Sequence, residues 1–143
     1  MPDAEEAPKQ FIIDCSLTMA WCFEDEATPE SRALQDRLES EDAVVPSIWP
    51  LEVANVLLVG ERRGRLTQAD VTQFITILQS LPINVDHAAE GVVFGQVLAL
   101  ARAHRLSVYD ASYLELALRR NLALATFDRE LRQAAQTLGV VLL

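Results

Sequence analysis

Four acidic residues stand alone in apolar stretches of this sequence, and their type and setting suit them to chemistry. Each is the single charge within, or directly after, a run of uncharged residues: Asp14, Glu52, Asp110 and Asp128. Burying a carboxylate is costly unless it is paired or coordinates a metal ion. The single lysine, Lys9, and most of the arginines lie elsewhere in the chain. The four acids therefore predict an oxygen-lined site for divalent cations and metal-assisted chemistry.

Glu52 is the acid that is hardest to explain by a purely structural role. Its predicted helix, 48–59, is apolar nearly all round, as expected for a buried element. A buried, unpaired Glu would have to be protonated or strongly perturbed. Short polar residues near the acids are predicted to orient the carboxylates by hydrogen bonds, as the groups around metal ligands do: Ser16, Asn55 and Thr126.

The other three acids also fit simpler structural roles. Asp14 could end a strand or accept hydrogen bonds from a turn, and Asp128 could cap the last helix. Asp110 lies three residues after Ser107, in a capping-box pattern. Taken singly, these roles compete with metal binding. Taken together, the four isolated acids favour a metal site.

The elements that must position these acids follow from the hydrophobic pattern. Short apolar runs alternate with helical segments, which predicts an α/β fold with a mainly parallel sheet. In such a sheet, sites form outside the carboxyl ends of the strands. Asp14 directly follows the first predicted strand, and Asp128 lies two residues past the fourth. Five strands are predicted: 11–13, 43–45, 83–85, 122–126 and 140–143.

The helices are predicted between these strands. Thr67 and Asp70 form a capping box that starts one of them, and Pro82 ends it. The others are assigned to residues 16–23, 47–63, 88–104, 107–120 and 128–138, together with one that begins at 29. Residues 1–10 are predicted to be a disordered lead and residues 11–143 a single domain.

Charge and hydropathy bound the classes of function. The net charge of −9 lies in residues 1–42, because acids and bases balance over residues 43–143. Arginines cluster in that second part, which is compatible with a phosphate-bearing substrate. No apolar run reaches the roughly 20 residues needed to span a bilayer. The start has no signal-peptide pattern, so a cytoplasmic protein without membrane contact is predicted.

Four segments of the chain carry short motifs around these acids: 11–16, 45–57, 106–114 and 125–131. The third contains Tyr-Asp-Ala-x-Tyr-Leu and the fourth Thr-x-Asp-x-x-Leu. In order and spacing the four segments resemble the motifs of PIN-domain nucleases and, within them, the VapC-type toxins of VapBC toxin–antitoxin systems. The resemblance covers about residues 11–142 and is closest in those two motifs.

This resemblance implies a three-layer α/β/α sandwich with a five-stranded, mainly parallel sheet. It implies one or two Mg²⁺ ions, or Mn²⁺, held by four metal-ligating and catalytic acids: Asp14, Glu52, Asp110 and Asp128. It further implies an endoribonuclease that hydrolyses RNA and is the toxin of a type II toxin–antitoxin pair. A VapB-type antitoxin and a second copy of the chain, forming a homodimer, are the expected partners.

Two rival classes remain at this level. A non-catalytic PIN-fold interaction module would need no metal, and the complete set of acids argues against it. A metal-dependent phosphatase or receiver-like domain would also be α/β with aspartates at the edge of the sheet. Receiver domains use a lysine after a late strand, whereas Lys9 precedes the first strand here.

Overall fold

A computed structural model describes residues 9–143 and places four strands in one parallel sheet. The strands are β1 (Gln10–Ile13), β2 (Asp42–Pro46), β3 (Ile83–Asp86) and β4 (Ala123–Ala125), in the order β3-β2-β1-β4. The predicted α/β fold with a parallel sheet is confirmed. The disordered lead predicted over 1–10 falls mainly on residues 1–8, which lie outside the described residues, and Gln10 already belongs to β1.

Both faces of the central strands are covered. Phe11, Ile12 and Ile13 of β1 are at most 1% exposed, and residues 43–45 of β2 are equally buried. Successive strand residues point to opposite faces of a sheet. Burial of consecutive residues therefore means that neither face meets solvent, as is usual for parallel sheets flanked by helices.

The prediction of a fifth strand over 140–143 is wrong. This segment joins the sheet through a single parallel bridge, between Leu124 and Leu142. Two backbone hydrogen bonds accompany the bridge: the Leu124 amide donates to the carbonyl of Val141, and the Leu143 amide donates to the carbonyl of Leu124. The amide of Val140 instead donates to the carbonyl of Ala135 and closes the end of the last helix. Too few residues are left free to build a ladder.

Eight α-helices and a 3₁₀ helix at Glu24–Glu26 connect and flank the strands within residues 9–143. The capping box of Thr67 and Asp70 is present as predicted, and Thr28 forms a second one with Ser31. Gly139, with φ of 76°, takes the left-handed conformation that ends the last helix. The helices are α1 (Cys15–Cys22), α2 (Pro29–Arg37), α3 (Trp49–Arg62), α4 (Gln68–Ser80), α5 (Glu90–Val92), α6 (Leu98–His104), α7 (Val108–Arg120) and α8 (Arg129–Leu138).

The single helix predicted over 88–104 is interrupted. Residues Val93–Val97 form a π-helical segment between α5 and α6. Such a segment adds one residue to a turn and rotates the side chains that follow it. Within residues 9–143, no helix is both long enough and apolar enough to span a bilayer.

A buried hydrogen-bonded chain fixes α3 against the end of β1. The Thr18 hydroxyl donates to the carbonyl oxygen of Asp14 at 2.9 Å, and the Trp49 indole N–H donates to that hydroxyl at 3.0 Å. Both side chains are buried, where polar groups need such partners. The contact sets where α3, which carries Glu52, lies relative to Asp14.

Candidate active site

The four acids predicted to bind metal are carried by different elements that meet at the carboxyl edge of the sheet. Asp14 follows β1 directly, and Asp128 follows the adjacent strand β4 by three residues. Glu52 lies in the first turn of α3, and Asp110 lies in the first turn of α7. We call these four residues the acidic cluster.

Asp14 is the buried centre of the cluster and is held by three donors. Its Oδ1 accepts from the Ser16 hydroxyl at 2.7 Å and from the Leu17 amide at 3.0 Å, while its Oδ2 accepts from the Thr126 hydroxyl. Burial raises the pKa of Asp14, these hydrogen bonds lower it, and the charge of Asp128 raises it further. Ser16 and Thr126 therefore both orient Asp14.

Ser16 and Thr126 also hold the backbone that follows β4 close to Asp14. The Thr126 hydroxyl oxygen accepts from the Asp128 amide at 3.0 Å, and the Ser16 hydroxyl oxygen accepts from the Phe127 amide at 3.2 Å. Each hydroxyl thus donates to Asp14 and accepts from the backbone that leads to Asp128. The positions of the two aspartates are coupled through these hydroxyls.

Asp128 is the exposed member of the cluster and serves as the N-cap of α8. Its Oδ1 accepts from the Leu131 amide at 2.8 Å. The capping role weighed for this residue is therefore real. It does not exclude metal binding, since a carboxylate offers about four acceptor positions.

Glu52 is half-buried and accepts a hydrogen bond from a tyrosine that was not among the predicted site residues. The Tyr113 hydroxyl donates to Glu52 Oε1 at 2.6 Å. Burial raises the pKa of Glu52, the Tyr113 hydrogen bond lowers it, and the charges of Asp110 and Asp14 raise it. The same surroundings raise the pKa of Tyr113, so its hydroxyl stays a donor.

The structure does not give Asn55 the role predicted for it. Asn55 is exposed, and within residues 9–143 no hydrogen bond joins it to Glu52. Tyr113 occupies that role and could have been found from sequence. It lies three residues after Asp110 on α7, a spacing that places both side chains on one helix face.

Asp110 completes the cluster from α7. Its amide donates to the Ser107 hydroxyl at 3.0 Å, so Ser107 caps the helix as predicted. The Asp110 carboxylate is half-buried. Burial raises its pKa, and the charges of Asp128, Asp14 and Glu130 raise it further, against a smaller lowering by Ser107.

The cluster has no basic partner in residues 9–143. The ion pairs there involve other acids: Glu41, Asp25, Asp86 and Glu115, bound by Arg37, Arg65, Arg119 and Arg120. Mutual repulsion and burial both disfavour the ionised state of carboxylates grouped in this way. A divalent cation is the partner that would relieve this repulsion.

The donor set fits a hard divalent cation, although its oxygens are not yet gathered around one point. Mg²⁺ prefers oxygen ligands and keeps several waters, so it needs only one or two carboxylates directly. In residues 9–143, no three His, Cys, Asp or Glu side chains are already arranged to hold an ion.

The described residues define a parallel α/β domain with carboxylates grouped at the carboxyl edge of its sheet. The PIN domain family model matches residues 11–136. The chain belongs to the PIN domain family. No curated protein matches the sequence significantly.

Solved structures share this architecture at low identity. PAE2754 from Pyrobaculum aerophilum superposes with a TM-score of 0.71 at 23% identity, covering 94% of this chain and 83% of that one. VapC20 from Mycobacterium tuberculosis, described as a Sarcin-Ricin loop cleaving toxin, gives 0.65 at 15% identity, covering 87% and 94%. VapBC2 from Rickettsia felis, bound to promoter DNA, gives 0.61 at 12%, covering 94% and 97%. These likenesses establish the shared fold.

Proposed function

We propose that this chain is a Mg²⁺- or Mn²⁺-dependent endoribonuclease and the VapC-type toxin of a type II toxin–antitoxin pair. The observation that carries the proposal is the acidic cluster, four carboxylates at one sheet edge without a basic partner in residues 9–143. Membership of the PIN domain family supports it.

Each residue of the site has a distinct part in this proposal. Asp14, Glu52 and Asp110 are the chief ligands of one or two ions, and Asp128 contributes directly or through water. Ser16 and Thr126 fix the Asp14 carboxylate, and Tyr113 fixes that of Glu52. A divalent ion held there supplies Lewis acidity and an activated water for phosphodiester hydrolysis. The chain itself then needs no nucleophilic side chain.

Cleavage of total RNA by the purified protein tests the activity. We expect fragments with Mg²⁺ or Mn²⁺, none with EDTA, and none from Asp110→Asn, which keeps the backbone cap on Ser107. Circular dichroism checks that the variant is folded. Full metal-dependent activity in the Asp110→Asn variant would refute the site. A protein that binds no Mn²⁺ by calorimetry would support the non-catalytic module instead.

An antitoxin and a second copy of the chain are the proposed partners. VapBC2 from Rickettsia felis and a structure described as a toxin–antitoxin complex from Klebsiella pneumoniae share the fold. An apolar groove of about 510 Å³ between α3 and α4, lined by residues such as Trp49, Leu57 and Ile75, offers surface to a partner. Co-expression with the neighbouring gene should give a co-purifying complex, and light scattering should give a dimer mass for the toxin.

A further inference from the structure

A groove of about 620 Å³ opens directly beside the acidic cluster. Its walls come from α2, from the segment that leaves β4, from α8 and from Leu143. Thr126 lines this groove and also donates its hydroxyl to Asp14, so the groove and the cluster share a wall. A volume of several hundred Å³ is enough for a small organic ligand, such as one nucleotide.

Arg132 supplies a cation to this groove. Its Nη1 donates to the carbonyl oxygen of Thr126 at 2.9 Å, which fixes the guanidinium next to the end of β4. Within residues 9–143 it forms no ion pair. A guanidinium has five N–H donors in a fixed fork. The donors not used by Thr126 remain for an anion, and phosphate matches their geometry.

The second arginine of the groove, Arg37, is already bound to other groups of the protein. Arg37 forms two hydrogen bonds with Glu41, at 2.7 and 2.9 Å, and its guanidinium lies over the Phe11 ring at 5.1 Å. Arg132 is therefore the cation available to a ligand. Glu30 lies on the α2 side of the groove and would repel a phosphate.

Phe127 presents an aromatic surface beside that cation. Its side chain is 43% exposed, while its amide donates to the Ser16 hydroxyl oxygen at 3.2 Å. The ring is thus exposed on an anchored backbone. Proteins bind single-stranded nucleic acid by pairing aromatic stacking surfaces with basic groups along the backbone.

We propose that this groove binds the nucleotide next to the scissile phosphodiester of a single-stranded RNA. Phe127 stacks on the base, and Arg132 contacts the adjoining phosphate. The inference rests on the proposed ribonuclease function and states how that site holds its substrate. Because Thr126 joins groove and cluster, a nucleotide held here places its neighbouring phosphodiester over Asp14.

Binding of a labelled single-stranded oligouridine, followed by fluorescence anisotropy over a KCl series, tests the groove. All proteins carry Asp110→Asn so that the RNA stays intact. Phe127→Leu should weaken binding about tenfold with an unchanged salt dependence, because it removes stacking alone. Arg132→Gln should weaken binding and reduce the slope of log K against log salt by about 0.7, the share of one phosphate contact. Glu30→Gln should strengthen binding.

Two matched variants separate a local effect from a general loss of charge or fold. Arg63→Gln removes an exposed cation that directly follows α3, eleven residues and about 16 Å from Glu52, and should leave both affinity and slope unchanged. Arg132→Lys should keep the salt dependence of RNA binding but lower the affinity, because lysine keeps the positive charge and lacks the forked N–H donors of the guanidinium. Without the Asp110→Asn change, Phe127→Leu should bind Mn²⁺ with the affinity of the wild-type protein.

The outcomes distinguish this inference from the function on which it rests. Unchanged binding in Phe127→Leu and Arg132→Gln, or no binding of oligouridine by the Asp110→Asn parent, would overturn the assignment of the groove as a nucleotide site. If both variants instead lose only a co-purifying protein partner, the groove belongs to that partner and the inference is equally overturned. RNA binding through the groove without metal-dependent cleavage by the wild-type protein would refute the ribonuclease activity but not the RNA-binding role of the groove.

Discussion

At the scale of single residues, Tyr113 is the part of the site whose role can be separated most cleanly from the acids. Its buried hydroxyl donates to Glu52, and this hydrogen bond lowers a pKa that burial raises. In Tyr113→Phe, the pKa of Glu52 should rise further. We expect Mn²⁺ affinity to fall about tenfold, the lower end of what loss of such a partner costs. Calorimetric titration with Mn²⁺ measures it.

The pH dependence of that loss identifies its cause. Metal binding needs ionised Glu52, so the deficit of Tyr113→Phe should be larger at mildly acidic pH and should shrink as the pH rises. Tyr109→Phe is the matched control, because Tyr109 is the other tyrosine of the chain and is 59% exposed. A deficit of the same size at every pH would assign Tyr113 a purely packing role.

Residue chemistry explains which parts of the site were predictable. An isolated carboxylate in an apolar run is visible in sequence because burial of a charge needs a reason. Its hydrogen-bond partner is harder to identify when the partner comes from another element: the spacing of Tyr113 from Asp110 places both on one face of α7 but does not show that the hydroxyl reaches Glu52. The sequence predicts Asn55 as the partner of Glu52 because it lies one turn away on the same helix, but the actual donor, Tyr113, comes from α7.

At the scale of elements, Asp128 has two roles that a pair of substitutions can separate. It caps α8 through the Leu131 amide, and it belongs to the acidic cluster. Asp128→Asn keeps the cap and removes the charge, whereas Asp128→Ala removes both. We expect Asp128→Ala to lose about 1 kcal/mol of stability, which lowers Tm by roughly 3 °C.

Thermal unfolding without metal and Mn²⁺ titration together check this separation. Asp128→Asn should have a Tm within about 1 °C of the wild-type value, because the cap is kept and the stability is nearly unchanged. Its Mn²⁺ affinity should fall. Equal Tm losses in the two variants would show that the charge at the start of α8, rather than its hydrogen bond, stabilises the helix.

The elements themselves were predictable to different degrees. Capping boxes such as that of Thr67 and Asp70 are local, so their sequence signature suffices. The last strand was predicted from its apolar character, which does not show where its amides donate. The Val140 amide is used by the end of α8, and one bridge to β4 remains. The π-helical segment at 93–97 likewise leaves no simple sequence pattern.

At the scale of the whole molecule, the acidic cluster should make the metal-free protein sensitive to pH. Burial and mutual repulsion raise the pKa of Asp14, Glu52 and Asp110 above their ordinary values of 3.8, 4.5 and 3.8. The folded state therefore binds protons more tightly than the unfolded state. By linkage, the free energy of unfolding increases as the pH falls from neutral through these raised pKa values.

This gain in the free energy of unfolding ends when the pH reaches the ordinary pKa values of the carboxyls, and other groups then determine how stability depends on pH. Arg119 lowers the pKa of Asp86, so that pair stabilises the fold above pH 3.8 and loses its effect as the pH falls through the lowered pKa. Stability without metal should therefore be highest at mildly acidic pH. Urea unfolding in EDTA across this range measures the profile.

Two further conditions show whether the acidic cluster causes the rise. Saturating Mg²⁺ binds the ionised cluster, so it should stabilise the fold most at neutral pH and flatten the profile. Combined Glu52→Gln and Asp110→Asn should be more stable than the wild-type protein at neutral pH without metal, because the penalty of ionising these half-buried carboxyls is gone while Gln still accepts from Tyr113. If this double variant kept the wild-type pH profile, the general negative charge of the chain would be the cause, since partial protonation also reduces self-repulsion.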